Sequence, residues 1–138
     1  MKVLIAALAD HANIAHPGDK LNLMGVFDVI GAPQFPVVHP GAVLAIRLEL
    51  EYEDGERKHT LAVVIVNQDG KEFAKIETQM EVAKVKPGQR LTANHLLFFR
   101  HLAFRAPESF SVLIRWDGEL KQTLPLDVVA VPPPTATT

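Results

Sequence analysis

The spacing of its glycine-containing dipeptides constrains this chain more than any other feature of the sequence. Asp54-Gly55, Asp69-Gly70 and Asp117-Gly118 each separate two runs rich in Val, Ile, Leu and Phe, while Pro17-Gly18, Pro40-Gly41 and Pro87-Gly88 mark three further reversals. Six of the eight glycines are used in this way, so reversal is the main work the sequence gives to glycine. Glycine reaches the positive φ of a tight hairpin without steric cost, Asp tolerates that region and bonds its own backbone, and Pro presets the φ of a turn's first corner. The pattern predicts short strands joined by tight turns, each Asp-Gly pair capping an antiparallel hairpin.

Side chains at i, i+2 and i+4 of a strand share a face, so parity places the strands. Leu44, Ile46, Leu48 and Leu50 oppose Ala45, Arg47, Glu49 and Glu51, the mark of a half-buried antiparallel strand. Ala74, Ile76, Thr78, Met80 and Val82 oppose Lys75, Glu77, Gln79 and Glu81, and Leu120, Leu124, Leu126 and Val128 oppose Lys121, Thr123 and Asp127. Leu21, Leu23, Gly25, Phe27 and Val29 form a further apolar row. Phe110, Val112, Ile114 and Trp116 share a face running into Asp117-Gly118, which puts the only tryptophan in the core. Residues 3–9, 61–66 and 96–99 are apolar on both parities, as expected of strands covered on both faces, by position at the middle of the sandwich, the favoured reading, or by contact with another chain. These rows predict an all-β, two-sheet antiparallel sandwich, immunoglobulin-like or jelly-roll-like, with about eight strands and at most one short helix. The helix, if formed, falls at residues 94–104, where Leu96, Phe99, Leu102 and Ala103 stand at helical spacing.

At 138 residues, 48% apolar and 22% charged, the chain is expected to form one β-sandwich domain over residues 1–131, followed by a Pro/Thr-rich tail at 132–138. The absence of cysteine excludes disulfides and thiolate metal sites and is compatible with a reducing cytoplasm. Lys2 and the apolar run after it are shorter than the roughly 15–30 residues of a signal peptide. No apolar run reaches the roughly 18 residues of a membrane-spanning helix. The expectation is a soluble, cytoplasmic protein that does not use a membrane. Residues 1–58 carry a net charge of −3 and residues 59–138 of +1, and with neither half basic a nucleic-acid partner is not expected.

Motifs that would name an activity are missing from this grammar. The only serines, Ser109 and Ser111, lie on a predicted strand without a Gly-x-Ser-x-Gly elbow, and no glycine-rich phosphate loop occurs. Two groupings remain. Asp10, His11, Asn13, His16 and Asp19 fall in what reads as one loop, and His39 lies on the proline-rich connection from Gly31 to Pro40. Carboxylates and imidazoles are ligands for zinc or iron, so Asp10, His11, His16 and His39 are the metal candidates, although no cofactor is expected. On the same connection Pro33, Pro36 and Pro40 stiffen a strip whose apolar side chains, Phe35, Pro36, Val37 and Val38, suit a protein partner or a second copy of the chain. The connection itself should carry the chain from one sheet to the other. The favoured reading is a non-catalytic interaction or assembly module, a homo-oligomer or a subunit of a larger complex. The alternative is a small metal-dependent enzyme or ligand binder built on the stretch from Asp10 to Asp19.

The order Ala9-Asp10-His11-Ala12, Gly18-Asp19-Lys20-Leu21-Asn22, Gly25-Val26-Phe27-Asp28, Phe35-Pro36 and His39-Pro40 resembles the pattern ADHA, GKLN, GxFD, FP of a family of small uncharacterised bacterial proteins. The match covers about the first third of the chain, with Asp19 inserted before Lys20. That family closes on a hairpin of the form P-x-G-x-Y, a strand and D-G. Here Pro107-Glu108-Ser109-Phe110 and Asp117-Gly118 stand in its place, without the glycine and the tyrosine. The resemblance implies a β-rich fold and brings no activity with it.

Overall fold

A computed structural model describes residues 1–133; of the tail expected at 132–138, residues 134–138 lie outside the described residues. Nine strands form two sheets. The four-stranded sheet runs β2 (Lys20–Phe27), β1 (Lys2–Ala15), β4 (Val37–Leu50), β7 (Leu91–Phe104). The five-stranded sheet runs β3 (Val29–Ala32), β9 (Glu119–Ala130), β8 (Glu108–Trp116), β5 (Arg57–Val66), β6 (Glu72–Val82). The sheets enclose one core in which Leu44, Ile46 and Leu48 from β4 meet Leu61, Val63 and Ile65 from β5 and Val112, Ile114 and Trp116 from β8. In β4 and β8 the expected and observed inner rows coincide, because burying one face of a pleated strand is what alternation means; β5, apolar on both parities, gave no such row in advance.

The ninth strand arises from Asp28. The row from Leu21 to Val29 reads as one strand, but β2 stops at Phe27 and β3 begins at Val29 in the other sheet, where it pairs in parallel with β9. The sandwich is therefore antiparallel except at this one pair. Residues 94–104 are strand rather than helix. β7 is in register with β4 from Val37↔Phe104 to Leu50↔Leu91, so β4 supplies the backbone partners that a helix would have had to find within itself. The expected connection from Gly31 to Pro40 does carry the chain between the sheets, although its last residues already belong to β4.

Two of the three Asp-Gly pairs cap hairpins, between β5 and β6 and between β8 and β9. At the second, Asp117 and Gly118 have φ of 50° and 83°, the two positive values of a primed two-residue turn. Asp54-Gly55 behaves differently. It follows a 3-10 turn at Tyr52–Asp54 and carries the chain from β4 in one sheet to β5 in the other. Gly55 has an ordinary φ of −69°, and it is needed because a Cβ there would lie 2.9 Å from the backbone nitrogen of Val85. Pro40-Gly41 is not a reversal either, since it lies within β4 at a point where the pairing skips Pro40 and His101. In β9 the register shifts opposite Ile114 and Arg115, which turns Leu120 outward to 51% exposure although parity places it with the inner row.

The doubly apolar segments also depart from expectation. Of the three strands, β7 lies at a sheet edge, not at the middle. Its second apolar face comes from Leu96 and Phe98, which lie opposite Ala45 and Val43 on the outside of the four-stranded sheet.

Candidate functional site

The outer face of the four-stranded sheet is where the chain departs from a plain sandwich. Ala9, Val43 and Ala45 point away from the core, yet their exposures are 0%, 1% and 0%. Their cover is the distal half of the β1–β2 hairpin. Between Ala9↔Val26 and His11↔Met24 the pairing skips Asp10 and Gly25, and Gly25 has φ of +74° with no room for a Cβ, which would come within 2.6 Å of Asp10 Oδ2. Beyond this hinge the hairpin reverses over the sheet. Its tip meets β7 well back along the sheet, where Asn94 Nδ2 donates to the Asp19 carbonyl at 2.7 Å, and Ile14 lines one cleft with Arg47, Thr92 and Asn94. Ala12, Ile14, Leu21 and Leu23, paired across the hairpin, are the half-buried face turned to the sheet.

This arrangement separates the metal candidates. Asp10 and His11 lie in β1, not in a loop, because β1 runs to Ala15 and leaves only residues 16–19 as a turn. His16 Nδ1 and Asp19 Oδ1 are 2.7 Å apart at the exposed tip. His39 sits in β4, accepts from the Gly41 amide at 3.3 Å and tilts against Phe27. Among the described residues no three His, Asp or Glu side chains gather in a way that could hold a metal ion. The apolar strip is divided. Phe35 and Val37 pack against the core, whereas Pro36 is exposed and Val38, opposite Ala103, is 57% exposed.

A further surface lies at the free edge of β7. The two open edges on this side of the sandwich are β6 and β7, and they differ in charge. β6 carries Glu72, Lys75, Glu77 and Glu81, the kind of charged side chains that discourage strand addition. In β7 the stretch Leu91–Phe99 has no Asp, Glu, Lys, Arg or Pro, and Phe98 is 53% exposed. His95 is the one titratable group in that stretch, and burial lowers its pKa.

Sequence reasoning missed one cluster altogether. His59, 3% exposed, stacks on Trp116 with ring centroids 4.5 Å apart. Its Nδ1 lies 2.6 Å from Asp117 Oδ2 and its Nε2 lies 2.8 Å from the Asp54 carbonyl. Both neighbours are acceptors, an arrangement that favours hydrogen on both ring nitrogens, the imidazolium form. Burial lowers the His59 pKa, but the hydrogen bonds to Asp117 and Asp54 and the charges of their carboxylates outweigh it and raise it. For Asp117 burial raises the pKa, and the bonds from His59 and the Thr60 amide bring it below the ordinary value. Asp54, itself buried, accepts from the Glu51 amide at 2.8 Å and lies 2.9 Å from the Met1 amine. The residues that meet are 58 positions apart in the chain, and no local pattern signals such a pairing.

A nine-stranded sandwich with a folded-over hairpin, an uncharged edge and a buried imidazolium is the frame on which relatives can be compared. The chain belongs to a family of unknown function, DUF6941, whose match runs over residues 4–129. No curated protein matches the chain. Among solved structures it is similar to a glycosyl hydrolase family 2 member from Bacteroides cellulosilyticus, in one crystal structure at 18% identity with a TM-score of 0.42 and in another at 19% with 0.41. Each match covers 67% of this chain but only 13% and 12% of those proteins. Likeness at that level carries no functional inference.

Proposed function

We propose that the protein is a non-catalytic assembly module whose partner is a second copy of the same chain, joined along the free edge of β7. The observation that supports this reading is the charge-free, proline-free stretch Leu91–Phe99 on an open edge, beside an exposed Phe98. An unpaired row of backbone donors and acceptors is a template for another strand. Two copies related by a twofold axis would pair it antiparallel to itself. In such a pair no like charges meet, as they would along β6. Val38, exposed on the neighbouring strand, extends the same apolar surface and keeps part of the Phe35–Val38 strip in the interface. A cysteine-free chain of this kind is compatible with the cytoplasm.

Light scattering coupled to size exclusion tests this directly. The wild type should elute as a dimer and Phe98→Lys as a monomer with an unchanged melting curve, because Phe98 is not in the core. A wild type that stays monomeric at high micromolar concentration, or a folded Phe98→Lys protein that still dimerises, would overturn the proposal.

A further inference from the structure

We infer that the cleft beneath the β1–β2 hairpin binds a small carboxylate-bearing molecule through the guanidinium of Arg47. This site is separate from the β7 edge and does not depend on self-association. Arg47 leaves β4 on the outer face of the sheet, two positions beyond the fully buried Ala45. A permanent cation thus stands at the foot of an apolar surface and under a hairpin that covers it. A guanidinium offers five N–H donors in one plane. Two are used, Nη1 to Asn94 Oδ1 at 3.0 Å and Nη2 to Thr92 Oγ1 at 3.1 Å, and both acceptors are uncharged.

The carboxylates that could neutralise Arg47 are engaged elsewhere. Glu49, next along the same face of β4, lies 2.6 Å from Arg90 Nε, and Asp19 at the hairpin tip holds His16. Among the described residues no carboxylate forms an ion pair with Arg47. For a half-buried cation without a counter-ion, hydrogen bonds to two neutral acceptors offset only part of the desolvation cost. The planar fork of arginine matches a carboxylate in bidentate fashion.

Space and lining agree with a small organic acid. The cleft measures about 530 Å³, within the roughly 300–1,000 Å³ of small-molecule sites. Ile14 gives it apolar wall for a carbon skeleton, while Thr92 and Asn94 stand beside the guanidinium. Arg47 is the one Lys or Arg among the residues lining the cleft, so the single positive charge is matched by the single negative charge of a carboxylate and not by a multiply charged phosphate. Asn94 touches both Arg47 and the hairpin tip, so occupation of the cleft should be felt at residues 16–19.

Titration of the full chain with butyrate, inorganic phosphate or sodium chloride at matched ionic strength, followed by side-chain and backbone proton–nitrogen spectra, tests the site. Butyrate should shift the Arg47 Nε–H, the Asn94 side-chain amide and residues 16–19 saturably, and chloride should not. Arg47→Gln should weaken the response at least about tenfold, and Arg47→Lys, which keeps the charge but loses the fork, should fall between the two. If Arg47→Gln fails to fold, the wild-type spectra and Arg47→Lys still decide. No saturable shift with butyrate, a folded Arg47→Gln protein that binds as the wild type does, or saturation by phosphate alone would each overturn the assignment.

Discussion

The β8–β9 hairpin stays in the plane of its sheet, and the carboxylate of its turn residue Asp117 reaches a buried imidazole. The β1–β2 hairpin leaves its plane at Asp10 and Gly25, lies back over the neighbouring strands, and its tip is tied by the Asn94 side-chain bond to the Asp19 carbonyl. Both turn on a glycine at positive φ beside an Asp, Gly118 with Asp117 and Gly18 with Asp19. What separates them is the contact each turn makes. Asp117 meets a buried imidazole held against Trp116 and the Asp54 carbonyl, whereas Asp19 meets the exposed His16 and an amide on β7. Turn residues make the chain reverse, and partners far away in sequence decide how firmly the reversal is held.

Substitutions along the two hairpins should break this contrast in a graded way. The largest effect is expected from Trp116→Ala, which removes a side chain 5% exposed together with the ring on which His59 stacks. It should cost about 3–5 kcal/mol in denaturant unfolding, and an equal loss from an exposed tip residue would erase the difference between the hairpins. Native emission of Trp116 should be blue-shifted and poorly quenched by iodide.

Next comes Asp117→Ala, which leaves the His59 imidazolium without its carboxylate and should cost about 2 kcal/mol near pH 6. The pH profile sharpens the point. The His59 pKa is raised on folding, so its contribution is present below the free-imidazole value of about 6.5 and is lost as pH rises through the folded value. The pKa values of Asp117 and Asp54 are lowered; their contributions hold above about 4 and are lost as pH falls through the folded values. Wild-type stability should therefore peak in mildly acidic solution, and Asp117→Ala should flatten the alkaline limb. A wild-type melting temperature that rises from pH 6 to 9 would contradict the imidazolium.

Gly25→Val acts at the hinge of the other hairpin. It combines a positive φ with a Cβ placed against the Asp10 carboxylate, and should destabilise by about 1–3 kcal/mol while exposing Val43 and Ala45 to solvent. Hydrogen exchange at those amides reads the second effect. The smallest change is expected from Asn94→Ala, about 1 kcal/mol, with faster amide exchange confined to residues 16–19.

The alternating rows of β4, β6 and β8 were legible from the sequence, and so was the buried face of Trp116, because alternation is a local property of a strand with one wet side. The two hairpins at Asp69-Gly70 and Asp117-Gly118 were legible for the same reason, since the strained corner lies within the dipeptide itself. Asp54-Gly55 looked identical and was not, because its glycine answers the backbone of residues 83–85 and not its own φ.

The candidate site was less readable. Asp10 and His11 looked like loop residues because only Ala12 and Ile14 follow as an apolar row in β1, too short a row to mark a strand; their burial comes from the sheet they fold over, while His11 and Asn13 face solvent. The strands and their inner faces were thus written in neighbouring residues, whose spacing sets which side chains share a face. Tertiary structure alone decided which sheet each strand joined, that one hairpin folded over the other strands, that Arg47 was left without a carboxylate and that His59 met Asp117, because each of these depends on packing between segments tens of residues apart.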